Sequence, residues 1–433
     1  MKFLKNTGYG MTLKKAYSYI ILLLIPIIIF CLVSCQSQEK KVRISFSTWG
    51  SETEINIIKP LIKDFEKLHP DIKVELIHIP QNYFQKIHML VAANLVPDVI
   101  FINNLNLPVY ASGNIFMDLN SYIKKSDKLK LDDYFPESIK TMSYKNKLLA
   151  IPRDISNIVL YYNKDLFDRY KVNYPKENWT QKGFLETAKK LTVYSNENSK
   201  IELFGISLET KPVYWLPFIW SSGGKLFNQD NKAFCLDNFD SCNALQFYAD
   251  LRNKYHVAPK SFESGNNTMA QLFIQQKSAM YISGRWNVPK FREDLKFNWD
   301  IAQLPQGQKG SINSIDGSGW AISSSTKHPK EAWMLIEYLA SKNSIIKFAK
   351  TGLIVPANRY VAYSNDFLEV NLPPKNSIVF LKIIKNAVPT PQIERWNEVT
   401  DSINNALEPV WDGKSTVCKS LKAIKNDVNE LLE

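Results

Sequence analysis

The stretch Val42-Arg43-Ile44-Ser45-Phe46-Ser47-Thr48 alternates apolar and polar residues, with Val42, Ile44 and Phe46 on one face, and reads as a strand. From Glu54 the period changes. Ile55, Ile58, Ile62 and Phe65, flanked by Leu61 and Leu68, form the apolar face of a helix that His69-Pro70-Asp71 ends. Val74 to Ile79 is a second strand. Tyr83 to Leu95 is a second helix, with Phe84, Ile87, Leu90 and Val91 apolar. Pro97-Asp98 then opens a buried strand, Val99-Ile100-Phe101-Ile102. Strand, helix, strand, helix, strand is the pattern of an α/β lobe with a mostly parallel sheet.

The pattern continues outward from this segment. Leu148 to Asn163 is rich in strand. Thr180 is placed to cap a helix whose apolar face is Phe184, Leu185, Ala188 and Leu191. Cys242 to Lys254 reads as a helix and Trp320 to Ser323 as a strand. Pro329 starts a helix with Ala332, Trp333, Ile336 and Leu339 inward. The tail from Glu394 to Glu433 is mostly helical, interrupted near Pro409 and Gly413. No repeat or low-complexity linker appears. Two lobes must therefore be joined by crossings inside ordinary strands.

Upstream of the first strand, Lys2, Lys5, Lys14 and Lys15 precede an apolar run from Ile20 to Leu32, and Ser34 stands directly before Cys35. A basic region, an apolar region and a small residue at the cut make a secretory leader over residues 1–34. The run is shorter than the ~20 residues a spanning helix needs, and Pro26 interrupts it. The residues at the cut resemble a bacterial lipobox, which implies lipid on Cys35 and a tether over residues 35–41. A spanning anchor, or a plain leader with a chance cysteine, is the alternative. The expected location is extracytoplasmic, at the membrane.

Once the leader is gone, about 400 residues remain, enough for two lobes. Charged residues make up 22% and apolar ones 45%, as in globular chains. The formal charge is +12, of which four belong to leader lysines; the rest is dispersed and points to a solvated surface, not to nucleic acid. Cys235 and Cys242 are close in sequence and are a candidate disulfide, with Cys418 left over. His69, His78, His88, His256 and His328 are scattered and give no metal-ligand spacing. Neither metal nor cofactor is expected.

Several segments carry a resemblance to one family. They are Ser47-Thr48-Trp49-Gly50-Ser51, Phe65 through Val74, Pro97-Asp98-Val99-Ile100, Ile151-Pro152-Arg153-Asp154, Leu160 through Phe167, and Ala279 through Trp286. Gly317-Ser318-Gly319-Trp320-Ala321-Ile322, Glu331-Ala332-Trp333 and Gly352-Leu353-Ile354-Val355-Pro356 complete the series. Together they resemble the extracellular solute-binding proteins of carbohydrate ABC importers, similar to maltose-binding and glycerol-3-phosphate-binding proteins. The resemblance implies a type II periplasmic-binding-protein-like fold: two α/β lobes, each a mostly parallel sheet flanked by helices, around a ligand cleft. It places crossings near Asp154, Gln303 and Lys350. One lobe is then 42–154 with 303–350, and the other 155–302 with 351–433. It implies a monomer that hands a carbohydrate to ABC permease subunits and performs no catalysis.

A sugar needs flat apolar surfaces for its C–H faces and polar groups for its hydroxyls. Candidates after the first strand are Trp49, Gly50, Ser51 and Glu52, whose other role is to turn the chain and cap the next helix. Tyr83 stacks or packs; Asn103 binds or turns. Arg153, Asp154, Ser156 and Asn157 sit at the expected crossing, although Arg153 and Asp154 could simply pair with each other. Trp220 precedes the turn Gly223-Gly224. Trp286 aligns with a stacking tryptophan of the maltose-binding relatives, and its alternative is a core position. Gly317 and Trp320 belong to a glycine-rich segment able to present backbone amides. Trp396 could line the cleft from the tail.

A secreted glycoside-active enzyme would need a marked carboxylate pair, and none stands out. A sensor that presents its ligand to a signalling partner is not separable here. Arg153, Arg285 and Arg359 keep glycerol-3-phosphate or another sugar phosphate open as ligand. Cys35→Ala is expected to move the protein from the membrane fraction to the soluble one on immunoblots. A variant that remains wholly membrane-bound after leader cleavage would overturn the lipid assignment.

Overall fold

The computed structural model describes residues 41–195 and 200–433. The leader, Cys35 and the tether up to residue 40 lie outside the described residues. The opening segment folds in the order read from its periodicity: β1 (Val42–Thr48), α1 (Glu52–Leu68), β2 (Ile72–His78), α2 (Tyr83–Ala92) and β3 (Val99–Asn103). β1 pairs in parallel with β2 and with β3. Ser51 starts α1 by accepting from the Glu54 amide (3.4 Å), and Ile55, Ile58, Leu61, Ile62 and Phe65 go into the core.

Further along come β4 (Ala150–Ser156), β5 (Ile158–Asn163), α3 (Gln181–Leu191), α4 (Pro212–Ser221), α5 (Phe239–Asn253), β6 (Met280–Gly284) and β7 (Trp299–Ala302). After them come β8 (Asn313–Ser314), β9 (Asp316–Ile322), α6 (Pro329–Leu339), α7 (Lys342–Lys350), β10 (Val355–Pro356), β11 (Ala387–Val388), α8 (Trp396–Trp411) and α9 (Val417–Ala423). The first sheet has the order β10-β4-β9-β3-β1-β2. β9 lies antiparallel between β3 and β4, and all its residues are buried. The second sheet is β6-β5-β7. A mostly parallel sheet was expected there, but β5 is antiparallel to both neighbours. Parallel pairing around it occurs in bridges from Phe204 to Ser278, from Ser207 to Tyr281 and from Thr180 to Gln306, and between the short strands β8 and β11. β5 continues almost directly from β4, so its neighbours must come from later chain returning in the opposite sense.

The crossings differ slightly from the expected ones. β4 stays in the first sheet to Ser156, which pairs with Asp316, so Asn157 is the first crossing. The second lies between Ala302 and Asp316. The third is later than Lys350: Val355 and Pro356 still pair with Ile155 and Asp154 of β4. By Phe367, whose carbonyl accepts from Arg285, the chain has met the second lobe, and at Asn376 it bonds to Asp300 and Ile301 of β7. The resemblance implies a crossing near Lys350, but this chain adds the two-residue strand β10 to the first sheet after that point. The tail then pairs β11 with β8 and enters a second core, built on Leu160, Phe184, Trp215 and Tyr248, through Ile393 and Trp396.

The candidate disulfide is also corrected. Cys242 on α5 is bonded to Cys418 on α9, with Cα atoms 5.3 Å apart and 176 residues between them in sequence, and Cys235 is a free thiol. The tail helices pack on α5: Asn253 Nδ2 donates to the Val410 carbonyl (2.7 Å), and the Val417 amide donates to Gln246 Oε1 (3.0 Å). That packing, invisible in local spacing, carries Cys418 to Cys242. No helix among the described residues is long and apolar enough to cross a membrane. Peptide mapping without reductant should find Cys242 joined to Cys418. Cys418→Ser is expected to lose about 2–5 kcal/mol of stability in denaturant melts, because the link closes a long loop of the unfolded chain.

Candidate functional site

Chain order alone brings several polar residues to one end of the first sheet. Trp49 follows β1, Asn103 and Asn104 close β3, Arg153 to Ser156 end β4, and Asp316 to Ser318 begin the antiparallel β9. Across from them stand Val213 in the first turn of α4 and Arg285-Trp286 directly after β6. Together with Glu54 and Leu353 to Val355 they line a cleft of about 300 Å³ between the lobes. This is the crevice beyond the carboxyl ends of strands where α/β sheets bind ligands.

The electrostatic centre of the floor is Arg153. Its Nε donates to Asp154 Oδ2 (2.7 Å) and its Nη1 to Glu54 Oε1, all three side chains being buried. The guanidinium lies 4.2 Å from the ring centre of Phe101 and 5.2 Å from that of Phe348. Burial alone would lower its pKa, but Glu54 and Asp154 outweigh that and hold it above the ordinary value. The second Asp154 oxygen accepts from the Ser318 amide (3.0 Å), which ties β4 to β9. Gly317 is needed at this point, since a Cβ there would strike the Asp154 carbonyl.

Trp286 is the exposed aromatic of the cleft, with 38% of its surface open. Its indole folds back over Gly284, where any Cβ would collide with the ring. The backbone is anchored beneath it: Tyr161 Oη donates to the Gly284 carbonyl (2.8 Å), and Asn287 Nδ2 donates to Ser283 Oγ (2.6 Å). Arg285, next in sequence, turns away and is buried, donating to Ser377 Oγ (3.1 Å) and the Phe367 carbonyl (3.3 Å) over the Phe367 ring. Desolvation pulls its pKa down to about 9. On the other wall Trp49 packs against Phe101, Tyr83 and Phe84, with ring centres 4.2, 5.1 and 5.5 Å away.

Of the residues singled out from sequence, Trp49, Asn103, Arg153, Asp154, Ser156, Trp286 and Gly317 line the cleft. The others do not. Gly50 turns the chain, its carbonyl facing His78 Nε2 (3.0 Å), while Ser51 caps α1 and Glu52 is exposed in its first turn. Tyr83 is buried behind Trp49 and shares a hydrogen bond with Ser47 (3.0 Å). Asn157 donates to the Phe380 carbonyl (2.9 Å) inside the protein. Trp220 packs in the second core, and Gly223 and Gly224 end α4 by bonding back to Trp220 and Ile219. Trp320 is 1% exposed between Phe101 and Phe348. Trp396 belongs to the second core. Aromatics near glycine were read as cleft residues, but β9 is covered on both faces, which sends Trp320 inward. Glu54, Val213, Asp316 and Leu353 to Val355 were missed. Asp316 carried a signal, an acid at the head of a glycine-rich strand, whereas Glu54 is defined only by a partner 99 residues away. No cluster able to hold a metal ion occurs among the described residues.

A family model described as bacterial extracellular solute-binding protein matches residues 49–344. The chain belongs to that family. A galactooligosaccharide-binding protein of Bacillus subtilis is 26% identical to this solute-binding protein over 379 residues, covering 85% of this chain and 84% of that protein. A maltooligosaccharide ABC transporter solute-binding lipoprotein of Streptococcus pneumoniae is 26% identical over 323 residues, covering 72% and 71%. An ABC substrate-binding protein of Listeria monocytogenes, solved with cycloalternan, superposes with a TM-score of 0.84 at 25% identity, over 90% of this chain and 99% of that one. The two-lobed fold expected from the sequence is the fold of this structural neighbour.

Arg153→Met, which leaves Glu54 and Asp154 buried without their cation, is expected to cost about 3–5 kcal/mol in urea melts. Adding Glu54→Gln should recover part of that loss.

Proposed function

We propose that this solute-binding protein captures a neutral mono- or oligosaccharide in the interlobe cleft and delivers it to the permease subunits of an ABC importer. The observation that carries the reading is the indole of Trp286, held open to the cleft by Gly284 opposite a floor of hydroxyl-bonding groups. Stacking on the C–H face of a sugar ring and hydrogen bonds to its rim are complementary demands, and the two lobes divide them. The relatives named for galactooligosaccharide and maltooligosaccharide, and the neighbour holding cycloalternan, support the same class of ligand.

Sugar phosphates fit the site less well. A phosphate calls for free guanidinium or amide donors, but Arg153 is engaged by two carboxylates and Arg285 by Ser377 and Phe367. Glu54, Asp154 and Asp316 outnumber these two cations on the lining. Binding without catalysis agrees with the Bacillus and Streptococcus relatives, both named as binding proteins. A lipid on Cys35 would hold a monomer beside its permease and raise its effective concentration there. The relative named a lipoprotein supports that part.

A thermal-shift panel of maltotriose, galactobiose, cycloalternan and glycerol-3-phosphate tests the reading. A sugar at 100 times its Kd should add about 2.7 kcal/mol of stability, with no response to glycerol-3-phosphate. Trp286→Ala should weaken that sugar at least ~10-fold. Steady release of product from the oligosaccharides would point to an enzyme instead.

A further inference from the structure

Among the described residues, Asp316 is the carboxylate of the cleft that has no cation within ion-pair reach; Glu54 and Asp154 both hold Arg153. It is 6% exposed and stands where three parts of the chain meet. Oδ1 accepts from Asn104 Nδ2 (2.7 Å) and from the Thr390 amide (3.3 Å), and Oδ2 accepts from Thr390 Oγ1 (2.9 Å). Asn104 follows β3 of the first lobe, Thr390 lies on the tail returning toward the second core, and Ser156, paired with Asp316, precedes the first crossing. The side chain thus stitches the first lobe to the returning tail at the pivot between the lobes.

An ionised carboxylate offers about four acceptor positions. Three are filled, and the remaining one is on Oδ2. Burial outweighs the three donors and pushes its pKa up to about 6. A buried anion left incompletely bonded costs stability that an asparagine or a serine would not, and such groups collect where a ligand completes the shell.

We infer that Asp316 is a ligand-binding residue of the cleft: the open position on Oδ2 accepts a hydroxyl of a neutral sugar, and the carboxylate does so far more strongly than the protonated acid. This rests on the sugar-binding reading of the cleft. The hydroxyl supplies the fourth donor without bringing a second negative charge to an anion that lacks a counter-ion. From β4, Arg153 and Asp154 share the wall but are tied to each other and to Glu54 of α1. Asn103 and Asn104 face it from β3 and Thr390 from the tail, while Arg285 stands on the opposite wall. Because the hydroxyl favours the carboxylate, sugar binding releases a proton in mildly acid solution, and acid weakens binding.

Calorimetric titrations with maltotriose, galactobiose and cycloalternan at pH 5.0 and 7.5 test this. Wild-type affinity for the sugar that binds should fall roughly 10-fold at pH 5.0, since only about a tenth of the protein then carries the competent carboxylate. Asp316→Asn should bind at least ~10-fold more weakly at pH 7.5 and show no pH dependence. Trp286→Ala should bind weakly at both values and keep the wild-type slope. Thr390→Val removes one donor to Oδ2 without touching the carboxylate, and should move the midpoint of the pH profile upward. It decides the question should the asparagine variant fail to fold. A wild-type affinity that is flat with pH, or an Asp316→Asn protein with wild-type affinity and slope, overturns this inference and leaves the sugar reading standing. Failure of every sugar to bind at either pH sinks both.

Discussion

One buried guanidinium organises the end of the first lobe that faces the cleft. Arg153 reaches Glu54 from α1 and its own neighbour Asp154, and is sandwiched by Phe101 of β3 and Phe348 of α7. Asp154 passes the connection to β9 through the Ser318 amide. Five elements therefore converge on one cation. In a medium that screens charge poorly, removing any member leaves another unpaired, so the arrangement is stable only when complete. The aligned strand ends that form the cleft floor depend on that completeness.

Upon this base the two walls are made by different means. On the first, Trp49 is packed among other aromatics and presents only part of its ring. On the second, Trp286 stays open because glycine beneath it admits the indole, while Tyr161 and Asn287 fix the turn that carries it. A rigid support under an open ring suits stacking, since little freedom is left to lose when a ligand arrives. The lobes are joined at Asn157, through the stretch from Ala302 to Asp316 and through the chain after Pro356, so movement between them must be taken up by a few backbone torsions there.

Much of the fold was legible in advance. Alternation in β1, the helical period of α1 and the apolar run of β3 each reflect burial of a defined face, and burial is what periodicity records. Trp49 was legible as a cleft residue because it follows a strand end, whereas Arg153 and Asp154, at an expected crossing, and Trp286, aligned with a stacking tryptophan, came from the family resemblance. Trp320, Trp220 and Trp396 were misread for one shared reason: a tryptophan beside glycine or at a helix start looks the same whether it faces solvent or a second layer. Trp320 is covered by Phe101 and Phe348, which approach from segments far away in sequence. Cys418 was likewise assigned no partner, since only the docking of the tail helices on α5 brings it to Cys242.

By itself, the sequence determined the α/β class, the order of elements in the first lobe and the supply of aromatic and polar groups from which a cleft could be made. These follow from interactions between residues close along the chain, or from composition. Tertiary structure alone decided which aromatics stay open, which cysteines join, where the chain last leaves the first sheet, and that Glu54 and Asp316 belong to the floor. Each depends on a contact between residues dozens to hundreds of positions apart. The energy of such a contact resides in the desolvated space between the partners, and neither partner carries a local mark of it.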